Sequence, residues 1–244
     1  MGFFDRFKKK SEGEQKASAA AKWGEAINKK AQTYDRQEAI NELCKILTAD
    51  AAEALLRRFT FVIDPSITDQ EEKEVAYEGV IACGKEAIEP IRKFAAKAES
   101  LTWPMKMLKE LVPQEELIDE LLGWLAKWDT DYSKFIDPKL QILQALEDYE
   151  SPKIREAVEP FLEDVNEPAR FHAVGATLAQ KDAASIPALL KLLLDEESNR
   201  VKAKVLDGFV ANAWSVPEDQ RDEVRKVLPY QFGIDGEGKV KKTG

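Results

Sequence analysis

"AASIPALLKLLLDEESNRVKAKVL", residues 183–206, reads as a short apolar helix, a charged turn and the start of a second helix. Pro187 falls one step after Ile186, at a helix start, where the missing N–H costs little. Ile186, Leu189, Leu190, Leu193 and Leu194 then form a broad apolar arc. One antiparallel neighbour cannot cover an arc that wide. Each buried leucine is worth about 1.5–3 kcal/mol, so the remaining surface must find further helices.

Sliding this stretch back along the chain finds its relatives. Leu55, Ile88, Leu121, Ile154 and Ile186 stand 33, 33, 33 and 32 residues apart. A second apolar series runs Leu43, Ala76, Leu108, Ile142, Val174 and Leu206, and a third runs Leu47, Val80, Val112, Leu146, Leu178 and Val210. The third series keeps the steps of the second, and such shared spacing is the mark of a repeat. Each unit has a first helix with apolar residues three and four apart, as in Leu140, Leu143 and Leu146. A break follows ("CGKE", "LVPQE", "YESP" or "AQKDAAS") and then the second helix. Pro90, Pro113, Pro152 and Pro187 lie at or near second-helix starts, and Asp137-Pro138 opens a first helix. Six units result, near 34–66, 67–99, 100–133, 134–165, 166–198 and 199–232. The expected fold is all-α, an α-solenoid of about six helix pairs, each covering its neighbour's apolar face.

The stretch "EPARFHAVGATLAQKDAASIPALLKLLLDEESNRVKAKVL" resembles HEAT repeats, in particular the short bacterial PBS-lyase HEAT-like repeats. That pattern has an acidic turn, a basic residue opening the first helix, and a small-x-Ile-Pro-x-Leu-x-x-Leu-Leu second helix. Asp164 with Arg170, and Asp195 with Arg200 or Lys202, match the acidic and basic positions. Ile186, Pro187, Leu189, Leu190, Leu193 and Leu194 match the second-helix core. The likeness is best over 134–212, fair over 67–98, and weak in the aromatic-rich third unit. It implies turn ion pairs that fix stacking, and a binding scaffold rather than an enzyme. The repeat type is shared with phycobilin lyases, which act on open-chain tetrapyrroles attached to light-harvesting proteins. A lyase-like protein acting on a tetrapyrrole-bearing partner is therefore the alternative, and it would bind a bilin.

Composition sets bounds on the same reading. The 244 residues are 44% hydrophobic and 33% charged, enough to bury a core. The first ten residues sum to +3 and the last six to +3, so a net charge of −9 leaves the body between them at −15. A body that acidic repels phosphate backbones, which argues against a nucleic-acid partner. Cys44 and Cys83 sit among apolar helical neighbours and read as small thiols in a reducing cytoplasm. No run approaches the roughly 18 apolar residues of a membrane span. "MGFFDRFKKK" lacks the apolar h-region of a leader. The expected location is cytoplasmic.

Catalytic, metal-ligating and cofactor-binding residues are not expected. His172, the single histidine, has no Ser, Cys or second His at usable spacing and reads as helix filler. The third unit gathers Trp103, Trp124, Trp128, Tyr132 and Phe135, with Leu117, Leu121, Trp124 and Trp128 on one stripe. These aromatics read either as core or as a binding hot spot, with Trp128 and Tyr132 the exposed pair. Acidic clusters at 70–72, 115–116, 119–120 and 195–197 read as solvated helix starts, or as a groove for a basic peptide. The exposed second-helix residues Arg92, Lys93, Glu115, Asp119, Arg155, Glu156, Glu159 and Lys191 are the candidates for contact with a partner protein.

Residues 1–32 read as a basic, aromatic N-terminal segment and linker, 33–232 as the solenoid, and 233–244 as a flexible tail. Phe3, Phe4 and Phe7 fall on one side of a nascent helix, followed by Lys8, Lys9 and Lys10. Such a segment can rest weakly on an anionic membrane, dock into a partner, or remain an unstructured chain end. Residues 11–32 read as polar linker turning helical near Trp23 and Ile27. The sum is a non-enzymatic scaffold or adaptor whose partner is another protein.

Overall fold

The computed structural model describes residues 11–243, and its regular secondary structure is almost wholly helical. Its contacts divide the chain into two compact units, Met1–Gln114 and Glu115–Gly244.

In the first unit, α1 (Glu12–Gly24), α2 (Thr33–Leu43), α3 (Ala49–Leu56), α4 (Ser66–Ala82), α5 (Ile88–Ala95) and α6 (Thr102–Leu111) follow in order. They pack as two rows. First helices α2, α4 and α6 touch in sequence, while α1, α3 and α5 form the other row. Local chemistry sets the ends. Ser11 and Glu14 close a capping box on α1, with Glu14 N donating to Ser11 Oγ at 3.3 Å and Ser11 N to Glu14 Oε2 at 2.7 Å. Thr48 Oγ1 caps α3 by accepting from Ala51 N. The segment read as linker is thus a helix from Glu12, and its Ala20 is buried in the row with α3. Its small residues, "ASAAA", hid the buried face, because alanine gives little amphipathic contrast.

In the second unit come α7 (Gln114–Leu125), α8 (Asp137–Leu146), α9 (Pro152–Val158), α10 (Glu167–Ala179), α11 (Ile186–Asp195), α12 (Asn199–Ala211) and α13 (Arg221–Val227). Here α8, α10 and α12 form one row, and α11 packs on α13 and on the 3-10 turn Glu159–Glu163 that extends α9. Pro160 explains that turn: without an N–H it cannot continue the α ladder, so the helix tightens while Phe161 and Leu162 stay buried.

The repeat spacing maps onto this order. Leu43, Ala76, Leu108, Ile142, Val174 and Leu206 fall on α2, α4, α6, α8, α10 and α12, and each is 0% exposed. The third series departs at its ends, where Leu47 is 49% and Val210 42% exposed. Leu47 lies beyond α2 in a left-handed conformation, φ 57°. Gly84, Lys181 and Ala213 repeat that feature after α4, α10 and α12, at φ 57°, 53° and 54°. One αL residue therefore reverses the chain after each of these first helices, and only Gly84 adopts it without steric cost.

The C-terminal segment read as a tail forms a hairpin instead. Strands β1 (Phe232–Ile234) and β2 (Val240–Lys242) pair antiparallel, with Phe232 and Val240 buried. Arg221 holds it by donating to the carbonyls of Val216, Gly236 and Glu237. Asp235 Oδ1 accepts from the Glu237 and Lys239 amides and closes the loop.

Candidate functional site

Two kinds of charged residue occupy these helices: those locked into the packing and those left on second-helix surfaces. The locked ones begin with Lys139, whose Nζ donates to Asp164 Oδ2 at 2.6 Å and to the Asp129 carbonyl at 3.1 Å, with neither side chain of the ion pair exposed. Arg170 then forks onto Glu196 at 2.7 and 2.9 Å and donates through Nη1 to the Asp164 carbonyl at 2.8 Å. Glu196 Oε1 accepts from the amides of Glu197 and Ser198, just before α12. Burial would raise the Glu196 pKa, but Arg170 and these amides hold it below its usual range.

This ladder corrects the expected pairing. The Asp164 carboxylate takes Lys139, not Arg170, and Glu196 rather than Asp195 takes the next cation; Arg200 pairs with Glu167. The reason is directional. A turn carboxylate faces back toward the preceding first helix, so Lys139–Asp164 and Arg170–Glu196 close within residues 134–165 and 166–198, while Arg200–Glu167 and the Arg170 bond to the Asp164 carbonyl cross between successive helix pairs.

The first unit holds a related cluster. Glu72 receives Arg36 at 2.6 and 2.9 Å and Arg58 at 2.7 Å, and all three are essentially buried. Arg58 also reaches Asp69 at 2.8 Å, and Lys73 reaches the other Asp69 oxygen at 2.7 Å. Burial alone would raise the Asp69 pKa, but Lys73, Arg58 and the Ile63 amide bring it down to about 2. The acidic reading of residues 70–72 as solvated therefore fails at Glu72, the hub of a buried network.

His172 is more than filler. Its Nδ1 lies 2.7 Å from Glu147 Oε1, and Lys204 donates to Glu147 Oε2 at 2.9 Å, so the trio ties α8, α10 and α12 together. A Cβ on Gly175 would stand 2.2 Å from Glu147 Oε2, so this glycine makes the space for the pair. Cys83 is buried and its thiol is pushed up to about 11, chiefly by burial, and burial also raises Cys44. Neither holds thiolate near neutrality. Among the described residues no group of His, Cys, Asp and Glu is placed to hold a metal ion, and no helix is long and apolar enough to cross a membrane.

The partner-contact candidates distribute unevenly. On the second unit's second helices, Asp119 pairs with Lys153 at 2.6 Å, Arg155 with Asp182 at 2.9 Å and Glu159 at 3.2 Å, and Lys191 with Glu163. Glu159 also accepts from Ser185 Oγ at 2.6 Å. Glu115, Asp119, Glu156, Lys191 and, in the first unit, Lys93 are exposed; Arg92, Arg155 and Glu159 are half-buried. Tyr132 is 78% and Phe135 73% exposed, whereas Trp128 is half-buried, with Lys139 Nζ 5.9 Å from its ring, and Trp124 is core. Phe3, Phe4, Phe7 and Lys8 to Lys10 lie outside the described residues.

One concave site was not anticipated. Between α3 with its 3-10 extension (Arg57–Thr60) and α5 run two adjoining openings of about 530 and 380 Å³, which share Thr60, Phe94 and Lys97. Phe59, Phe94 and Trp103 supply aromatic surface, and Trp103 packs on Phe59 at 4.8 Å and on Tyr77 at 5.9 Å between ring centroids. Arg57, Lys93 and Lys97 supply cations. No signal in the linear pattern unites residues 57, 94 and 103, since they belong to three elements.

Comparison of the chain with models of protein families, with curated proteins and with solved structures gave no match.

Proposed function

We propose that this chain is a HEAT-like α-solenoid scaffold, a non-enzymatic adaptor that holds another protein on its second-helix surface. The observation that carries the reading is the sequence series of six wholly buried residues, three in each unit, one on each first helix from Leu43 to Leu206. A single repeating packing rule supports units that exist to extend a surface. The ladder through Lys139, Asp164, Arg170 and Glu196 supports it as well, because these charges are consumed in tying first helices to the turns and leave the second helices to meet a partner.

The test is charge reversal at Glu115, Asp119, Glu156 and Lys191, all exposed. The combined variant should keep its helical circular dichroism and melting temperature while losing a partner captured from the native cell by the parent chain. Full retention of every partner by the folded variant would remove this surface from the proposal. Leu190→Asp is the contrasting control: its side chain is 1% exposed, so an unpaired charge there should unfold the second unit.

A further inference from the structure

We infer that the groove between α3 and α5 seats a short acidic segment of a partner protein, with an aromatic or large aliphatic side chain against the rings and carboxylates on the rim. The inference rests on the scaffold reading and adds the place and the chemistry of the contact.

The floor is preassembled. Phe59, Phe94 and Trp103 are each half-buried, and the tilted Phe59–Trp103–Tyr77 stack is backed by Lys106, whose Nζ lies 4.2 Å from the Tyr77 centroid and 5.0 Å from that of Trp103. An incoming apolar side chain finds fixed ring faces and releases water from them without reorganising the fold. Trp and Tyr at such places dominate binding energetics.

The rim selects the partner's charge. On the second unit's second helices the cations are satisfied, Lys153 by Asp119 at 2.6 Å and Arg155 by Asp182 at 2.9 Å. At the groove they are left over. Arg57 and Lys97 form no ion pair among the described residues, and Lys93 has only Glu89 at 3.9 Å. Arg57 Nη1 donates to the Gly24 carbonyl at 3.3 Å, which holds its guanidinium in place rather than neutralising it. Glu53 and Glu99 also line the openings, so positive charge leads by one here on a chain at −9. A basic segment would meet Arg57 and Lys97 without an ion-pair partner to offset them, and a neutral one would leave these two unpaired. An acidic segment with an apolar anchor satisfies floor and rim together.

The experiment is selection of displayed random peptides on the full chain, repeated on Phe94→Ser and on the double variant Arg57→Glu/Lys97→Glu. Peptides taken by the parent should carry Asp and Glu flanking an aromatic or aliphatic residue. One of them, synthesised, should change the emission of Trp103, with Trp103→Phe as the control. It should bind each variant at least about tenfold more weakly, a loss of about 1.4 kcal/mol. Its Lys-for-Glu counterpart should prefer the double variant. If Phe94→Ser does not fold, the surface double variant carries the result alone. Selection of basic peptides, of peptides that bind the double variant equally, or of none, overturns the inference. Capture of a cellular partner that survives Arg57→Glu/Lys97→Glu but not the reversals at Glu115, Asp119, Glu156 and Lys191 also overturns it, and leaves the scaffold reading standing.

Discussion

Lys139 Nζ and Asp164 Oδ2 are 2.6 Å apart with both side chains completely shielded from solvent, and they join the start of α8 to the turn that precedes α10. A pair so placed gains strong Coulomb attraction but has lost the hydration of two ions. It therefore fixes register more than it adds net stability. The Asp129 carbonyl and the Asn166 amide complete the shells of the two groups.

Removing one partner should accordingly cost far more than removing both. Lys139→Met or Asp164→Asn alone is expected to destabilise by about 3–5 kcal/mol. The double variant should recover most of that loss, because no buried ion is left without its counterpart. Urea unfolding of the four proteins gives the cycle, and strictly additive losses would contradict the buried pair.

Acid should loosen the first unit through Asp69. Its carboxyl titrates at about 2 when folded, against 3.8 for the unreacted group, so the folded value is the lower one. The stabilising contribution is then complete above the unfolded value and is lost as pH falls through about 2. Asp69→Asn should melt below the parent at neutral pH, and the gap should narrow as pH is lowered from about 4 toward 2. A gap that stays constant with pH would show that the charge is not the cause.

Two helical glycines should respond in opposite directions to alanine. A Cβ on Gly79 would stand 2.3 Å from Cys44 Sγ and 2.9 Å from Leu55 Cδ1, whereas one on Gly123 meets nothing within 4 Å. Gly79→Ala is expected to destabilise by about 1–3 kcal/mol through overpacking. Gly123→Ala should stabilise by about 0.5–1 kcal/mol by lowering the entropy of the unfolded chain. Thermal melts of both variants check the pair.

The exposed leucine at φ 57° is a place where the native residue is the worse choice. Leu47→Gly should raise stability by about 0.5–1 kcal/mol, since relief of the left-handed strain exceeds the entropy glycine adds to the unfolded chain. A lower melting temperature would mean that Leu47 contributes packing beyond what its exposure suggests.

Much of the helical order was legible in the chain itself. A recurring step of 32 to 34 residues, prolines near second-helix starts and apolar residues three and four apart placed Leu43, Ala76, Leu108, Ile142, Val174 and Leu206 at buried points on successive first helices. That works because a helix's buried face follows from its own periodicity. Residues 12–24 and 232–242 escaped for separate reasons: alanines gave α1 no contrast, and the hairpin depends on Arg221 reaching the carbonyls of Gly236 and Glu237, 15 and 16 positions away. The choice of ionic partners and the existence of the groove lay wholly with tertiary structure. Asp164 has Arg170 six positions away and Lys139 twenty-five away, and only packing places the distant cation at its carboxylate. Phe59, Phe94 and Trp103 become one surface only when α3, α5 and α6 come together. Periodicity states which side of a helix turns inward; it carries no information about which helix it will meet.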